Sequence, residues 1–132
     1  MIKDYFRTID EESKAYWLGF LYADGCISND LKTIIIELSA KDLRHIEKFK
    51  KAIEAPQNIQ LYERDGVKFA RIRIGCKEMV SDLIEKGCHP HKTFDVHFPN
   101  LDTVPNELIK HFIRGVFDGD GCISLTKRKL LL

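Results

Sequence analysis

The chain has no CxxC cysteine pair, no long apolar run and no excess of charge of either sign. Its densest apolar stretches, Ile34-Ile35-Ile36 and Leu130-Leu131-Leu132, fall far short of the ~20 residues a membrane helix needs, so no membrane partner is expected. The four cysteines are Cys26, Cys76, Cys88 and Cys122. They lack the paired spacing of a structural zinc site, and the nearest cluster, Cys88-His89-Pro90-His91, has no second half. Free thiols in a reducing compartment are the simpler expectation. The opening Met1-Ile2-Lys3-Asp4-Tyr5 has no apolar signal core, so a cytoplasmic location is expected, with organellar or phage origin left open. With 21 Lys+Arg against 20 Asp+Glu, charge argues neither for nor against nucleic acid. What is present, 44% hydrophobic and 31% charged residues over 132 positions, suits one globular domain and excludes disordered and fibrous classes.

Self-comparison is more informative. Asp24-Gly25-Cys26-Ile27-Ser28 recurs letter for letter as Asp120-Gly121-Cys122-Ile123-Ser124, 96 residues later. Chance would produce such a repeat on the order of one time in a hundred at average residue usage. An apolar helical stretch precedes each copy: Ala15 to Ala23 in the first, His111 to Gly119 in the second. Gly19 and Ala23 are four residues apart, as are Gly115 and Gly119, so each pair lies on one helical face. Glycine within a helix costs about 1 kcal/mol relative to alanine. Close approach of two helix backbones would offset that cost; small residues at this spacing also suit ordinary core packing.

Asp24 and Asp120 each close their helix, just before Gly25 and Gly121, which read as left-handed caps. A carboxylate there opposes the helix dipole by a few tenths to about 1 kcal/mol. If the two helices pack side by side, the acids converge and call for a cation. Oxygen ligands without thiolates point to Mg²⁺ or another hard divalent ion.

Trp17-Leu18-Gly19-Phe20-Leu21-Tyr22-Ala23-Asp24-Gly25 and Ile113-Arg114-Gly115-Val116-Phe117-Asp118-Gly119-Asp120-Gly121 together resemble the motifs of the LAGLIDADG homing endonucleases of the two-motif type. The stretch from Arg71 through Gly87-Cys88-His89-Pro90-His91-Lys92-Thr93 and Phe98-Pro99-Asn100 to Asp120 carries the same likeness. Tyr22 departs from the first motif's earlier acid. The resemblance implies two motif helices packed at a pseudo-twofold axis. It also implies Asp24 and Asp120 as catalytic metal ligands between scissile phosphates, and Asp118 either as a supporting group or as a solvated acid.

Between the motifs the periodicity predicts a β-β-α-β-β-α order. A motif helix runs over about 12–25, followed by a hairpin over 26–39 with its turn at Asn29-Asp30. Lys41 to Ile53 reads as an amphipathic helix whose Lys48, Lys50 and Lys51 form a solvated face. A second hairpin over 58–74 turns at Asp65-Gly66, and a helix over Cys76 to Lys86 is stopped by Gly87. Cys88 to Val104 reads as a connector, and Pro105 suits the first turn of the second motif helix. In the second hairpin, alternation sends Ile59, Leu61, Ala70, Ile72 and Ile74 toward the helices. Gln60, Tyr62, Arg64, Phe69, Arg71 and Arg73 then share the other face with Thr33, Ile35, Glu37 and Ser39. Arg and Gln suit guanine and adenine edges, and a two-stranded ribbon fits the major groove; an ordinary wet sheet face has the same pattern. Lys92 is a phosphate contact or a loop charge.

The expected fold is α+β, an α-β-β-α-β-β-α unit with helices on one face of a largely antiparallel sheet. It divides into a first repeat over 1–104 and a second motif helix over 105–132. After Ser124 only eight residues remain, so the second repeat reads as cut short, to be completed by a homodimer or a separate second-half domain. The expected function is metal-dependent, site-specific cleavage of double-stranded DNA. The alternative from the same fold is a non-catalytic DNA- or RNA-binding remnant or an intron maturase.

Overall fold

The structure, a computed structural model, describes residues 1–88 and 103–119. Helix α1 spans Glu12–Asp24, β1 Cys26–Ile27 and β2 Thr33–Ser39. A 3-10 turn, Ala40–Asp42, leads into α2, Leu43–Ile53. Strands β3, Gln60–Arg64, and β4, Val67–Gly75, precede α3, Lys77–Glu85. A second 3-10 turn, Asn106–Leu108, enters α4, Ile109–Gly119. The described chain is therefore an α+β fold with four α-helices and one four-stranded sheet, ordered β1-β2-β4-β3 and antiparallel at every pairing.

Alternation along the strands decides which face is buried. Ile34 and Ile36 of β2 and Ile72 and Ile74 of β4 are cross-strand partners with at most 1% exposure, packed beneath the helices. Residues one position out of phase face solvent. Both residues of the β3–β4 turn, Asp65 and Gly66, have positive φ (54° and 79°), matching the right-handed twist of a tight hairpin. Leu61 departs from expectation. Its register partner is the buried Ala70, yet Leu61 is 64% exposed. As the edge strand, β3 extends past the helical cover, so alternation assigned the side correctly but not the burial.

Helix α1 is central rather than amphipathic, with Ala15 through Tyr22 all buried. Trp17 packs against Phe49 of α2 with ring centroids 5.2 Å apart, and the fully buried Phe6, Phe20, Phe49 and Phe112 fill the core around it. The segment before α1 also joins this core: Tyr5, Phe6 and Ile9 are buried, and the Ile2 amide donates to the Ile53 carbonyl at 2.9 Å. Among the described residues, no helix is long and apolar enough to cross a membrane.

The left-handed cap expected at Gly25 is not formed. Its φ of −75° and ψ of 151° are extended, and its amide closes the helix onto the Leu21 carbonyl at 2.9 Å. Space rather than backbone sign demands glycine there, because a Cβ would sit 2.8 Å from the Leu21 carbonyl oxygen. Gly121 lies outside the described residues.

Candidate functional site

Helices α1 and α4 meet at backbone contact. A Cβ on Gly19 would lie 2.0 Å from the Phe112 carbonyl oxygen and 3.0 Å from the Val116 amide nitrogen. A Cβ on Gly115 would lie 1.9 Å from the Tyr16 carbonyl oxygen and 2.9 Å from the Phe20 amide nitrogen. Gly19 and Gly115, Tyr16 and Phe112, and Phe20 and Val116 are each 96 residues apart, the spacing of the repeat. The two contacts are therefore one contact seen from both sides. Such reciprocity is the property of a self-complementary twofold interface, here within one chain.

The reciprocity extends to side chains. Tyr22 meets Phe112 edge to face at 5.0 Å, and the repeat-related pair is Asp118 with Tyr16, whose hydroxyl donates to Asp118 Oδ2 at 2.6 Å. The contacts of the glycine seam advance together along both helices, from Tyr16 with Gly115 to Ala23 with Gly119, so the helices run parallel and their described C-terminal ends lie together. There Gly119 approaches Ala23, and a Cβ on Gly119 would be 3.0 Å from that of Ala23. Gly19, Ala23, Gly115 and Gly119 thus all lie in the helix interface, and the reading as ordinary core packing gives way to backbone contact.

Asp24 is the last residue of α1, half-buried at this shared end, immediately after Ala23. Asp120 follows Gly119 in sequence but lies outside the described residues, as does Lys92. No group of three His, Cys, Asp or Glu side chains able to hold a metal occurs among the described residues. The donor set on offer is one carboxylate at a helix C-terminus, next to the end of a second parallel helix.

Two features beside this site were not expected. Tyr16 spends its only proton on Asp118, so its oxygen accepts from His45 Nε2 at 2.9 Å, which fixes the Nε2–H tautomer of His45. Burial lowers the His45 pKa from its ordinary value. Burial, then the hydrogen bond to Asp118, raises that of Tyr16 well above the ordinary phenol range. Asp118 is exposed near the end of α4 and ties that helix to α1 through the Tyr16 hydroxyl. Tyr22, at the position of the missing acid, donates to the Lys86 carbonyl at 2.6 Å and closes the end of α3.

The outer sheet face bears Gln60, Tyr62, Arg64, Phe69, Arg71 and Arg73 together, as alternation predicted. Register places Gln60 opposite Arg71 opposite Glu37, Tyr62 opposite Phe69 opposite Ser39, and Arg73 opposite Ile35. Tyr62 and Phe69 stack at 5.5 Å, with Arg71 over the Tyr62 ring and Arg64 over the Phe69 ring, each at 4.9 Å. Arg71 Nη2 also donates to Gln60 Oε1 at 3.3 Å. Glu37 lies 3.5 Å from Arg64 and 4.0 Å from Arg71, and its carboxylate raises the Tyr62 pKa above the ordinary phenol value. Cys26, expected as a free thiol, is one, exposed at the start of β1; Cys76 is free and buried.

Compared with known proteins, the chain matches no family model and no curated protein.

Proposed function

We propose that the chain is a homing-endonuclease-like, site-specific, metal-dependent endonuclease of double-stranded DNA, with Asp24 and Asp120 as the catalytic metal ligands. The observation that carries this reading is the reciprocal contact of Gly19 and Gly115, which packs the two repeated helices together and sets the end of α1, with Asp24, beside Gly119, which Asp120 follows in sequence. A divalent cation bound there would act as a Lewis acid on a phosphoryl oxygen and lower the pKa of a bound water.

The protein's own residues would do the rest. The glycine crossing holds the helix ends close, and Asp24 supplies a fixed oxygen ligand at that point. Gln60, Arg64, Arg71 and Arg73 offer donors to base edges and phosphates along a ribbon of major-groove width. The stacked Tyr62 and Phe69 favour one second reading, in which the same face binds RNA bases without cleavage.

Selection from a randomised duplex pool, followed by incubation of the bound duplex with Mg²⁺, tests the proposal. Strand cleavage by the native chain is expected, with Asp24→Asn losing cleavage while keeping duplex affinity. Cleavage unchanged in Asp24→Asn would remove the catalytic assignment. Preference for single-stranded RNA with no duplex affinity would favour the second reading.

A further inference from the structure

The three arginines of the outer sheet face are not equivalent, and Glu37 makes the difference. Arg64 is held by Glu37 at 3.5 Å and by the Phe69 ring. Arg71 is held by Glu37 at 4.0 Å, by the Tyr62 ring and by Gln60. The Arg73 side chain has no hydrogen bond, ion pair or ring contact among the described residues. Among the described residues Glu37 is also the only acid on this face, whose other residues are Cys26, Thr33, Ile35, Ser39, Val67 and Gly75 beside those already named.

We propose that Glu37 is a specificity-determining positioning residue, which orients Arg64 and Arg71 as base readers and leaves Arg73 to supply attraction to phosphate. The inference rests on the DNA-binding reading above. Stability gives little reason for the Glu37 pairs, since the Arg64 side chain is 61% exposed and exposed ion pairs contribute little. For DNA binding the acid has two opposed effects. Its charge repels every duplex alike, because phosphates are the same in all sequences. Its hold on two guanidinium groups removes rotamer freedom before binding, so less ordering remains when they meet a matching base edge. Only sequences with bases in the right places recover what the repulsion costs. A carboxylate so placed lowers affinity in general and raises discrimination.

The test compares the selected duplex with a random duplex across a salt series. Glu37→Gln should bind the random duplex roughly tenfold more tightly at 0.1 M salt, with a salt slope steeper by about one. Its ratio of selected to random affinity should fall at least about fivefold. Glu37→Asp keeps the charge but retracts it from both arginines, so random affinity should stay native while discrimination falls. Arg73→Ala should weaken both duplexes by the same factor and leave the ratio unchanged. Thermal midpoints within a few degrees of the native chain exclude a merely structural effect. Native discrimination in both Glu37 variants would overturn the proposal. If the native chain binds no duplex even at low salt, the DNA-binding reading fails first and the proposal with it.

Discussion

Replacing Gly19 by alanine sets two effects of opposite sign against each other. Helix propensity alone favours alanine by about 1 kcal/mol in a helix interior. The new Cβ, however, would lie 2.0 Å from the Phe112 carbonyl oxygen, an atom of rigid helical backbone. Relief requires the helices to separate by more than ~1 Å, and a gap of that size forfeits a quarter to a half of each dispersion contact along the seam. Overpacked cores lose about 1–3 kcal/mol, and a backbone-on-backbone clash belongs at or beyond the upper end. Net destabilisation of about 2 kcal/mol is expected for Gly19→Ala, and the same for Gly115→Ala, whose Cβ would lie 1.9 Å from the Tyr16 carbonyl oxygen. One separation relieves both clashes, so the double variant should cost well below the sum of the two. Gly75→Ala is the control, because a Cβ there meets nothing within 4 Å and its stability should be native or slightly higher. Urea unfolding followed by fluorescence of the single, buried Trp17 measures all four variants. Stabilisation of Gly19→Ala by about 1 kcal/mol would mean propensity acts alone and the helices do not touch.

Two further outcomes follow from the same coordinates. His45 binds its proton less readily folded than unfolded, since burial lowers its pKa from 6.5. Below that pH the unfolded chain takes up a proton that the folded chain refuses, so stability should fall as pH drops from 6.5 toward the folded value. His45→Gln should flatten that part of the urea-derived profile, and identical slopes would contradict the assignment. Arg71→Ala should weaken the selected duplex by about 1–3 kcal/mol in a gel-shift titration while leaving random duplex nearly unchanged. Equal losses on both would make Arg71 a phosphate contact.

Much of this architecture was legible in the sequence because its signals were local. Strong alternation at Ile34, Ile36, Ile72 and Ile74 located the sheet and its buried face, and Asp65-Gly66 located the hairpin. Helix α1, Glu12–Asp24, ends within one residue of the predicted 12–25, and β2 ends at Ser39, where the predicted hairpin over 26–39 ends. What escaped depends on distance in the chain. Nothing near Tyr16 announces that it will bond to His45 and Asp118, the latter 102 residues away. Tyr22 read as a departure from a motif, whereas its role at the end of α3 appears only when the elements are packed. The cap at Gly25 was misjudged because glycine after a helix usually signals positive φ, while here the Leu21 carbonyl leaves no room for a side chain. Leu61 was misjudged because period two reports a side of the sheet, not the extent of the cover. The glycine pairs were legible as a helix face; their reciprocal contact, offset by the repeat, required coordinates.

The central claim is that the shared end of α1 and α4 holds a divalent cation against DNA. Paramagnetic Mn²⁺, added in small steps to the isotope-labelled chain bound to its selected duplex, locates such a cation by broadening nearby amide signals. The account predicts that Ala23, Asp24, Gly25 and Gly119 broaden first, and that Asp24→Asn abolishes the effect. Broadening spread over exposed acids elsewhere, or unchanged in Asp24→Asn, would contradict it.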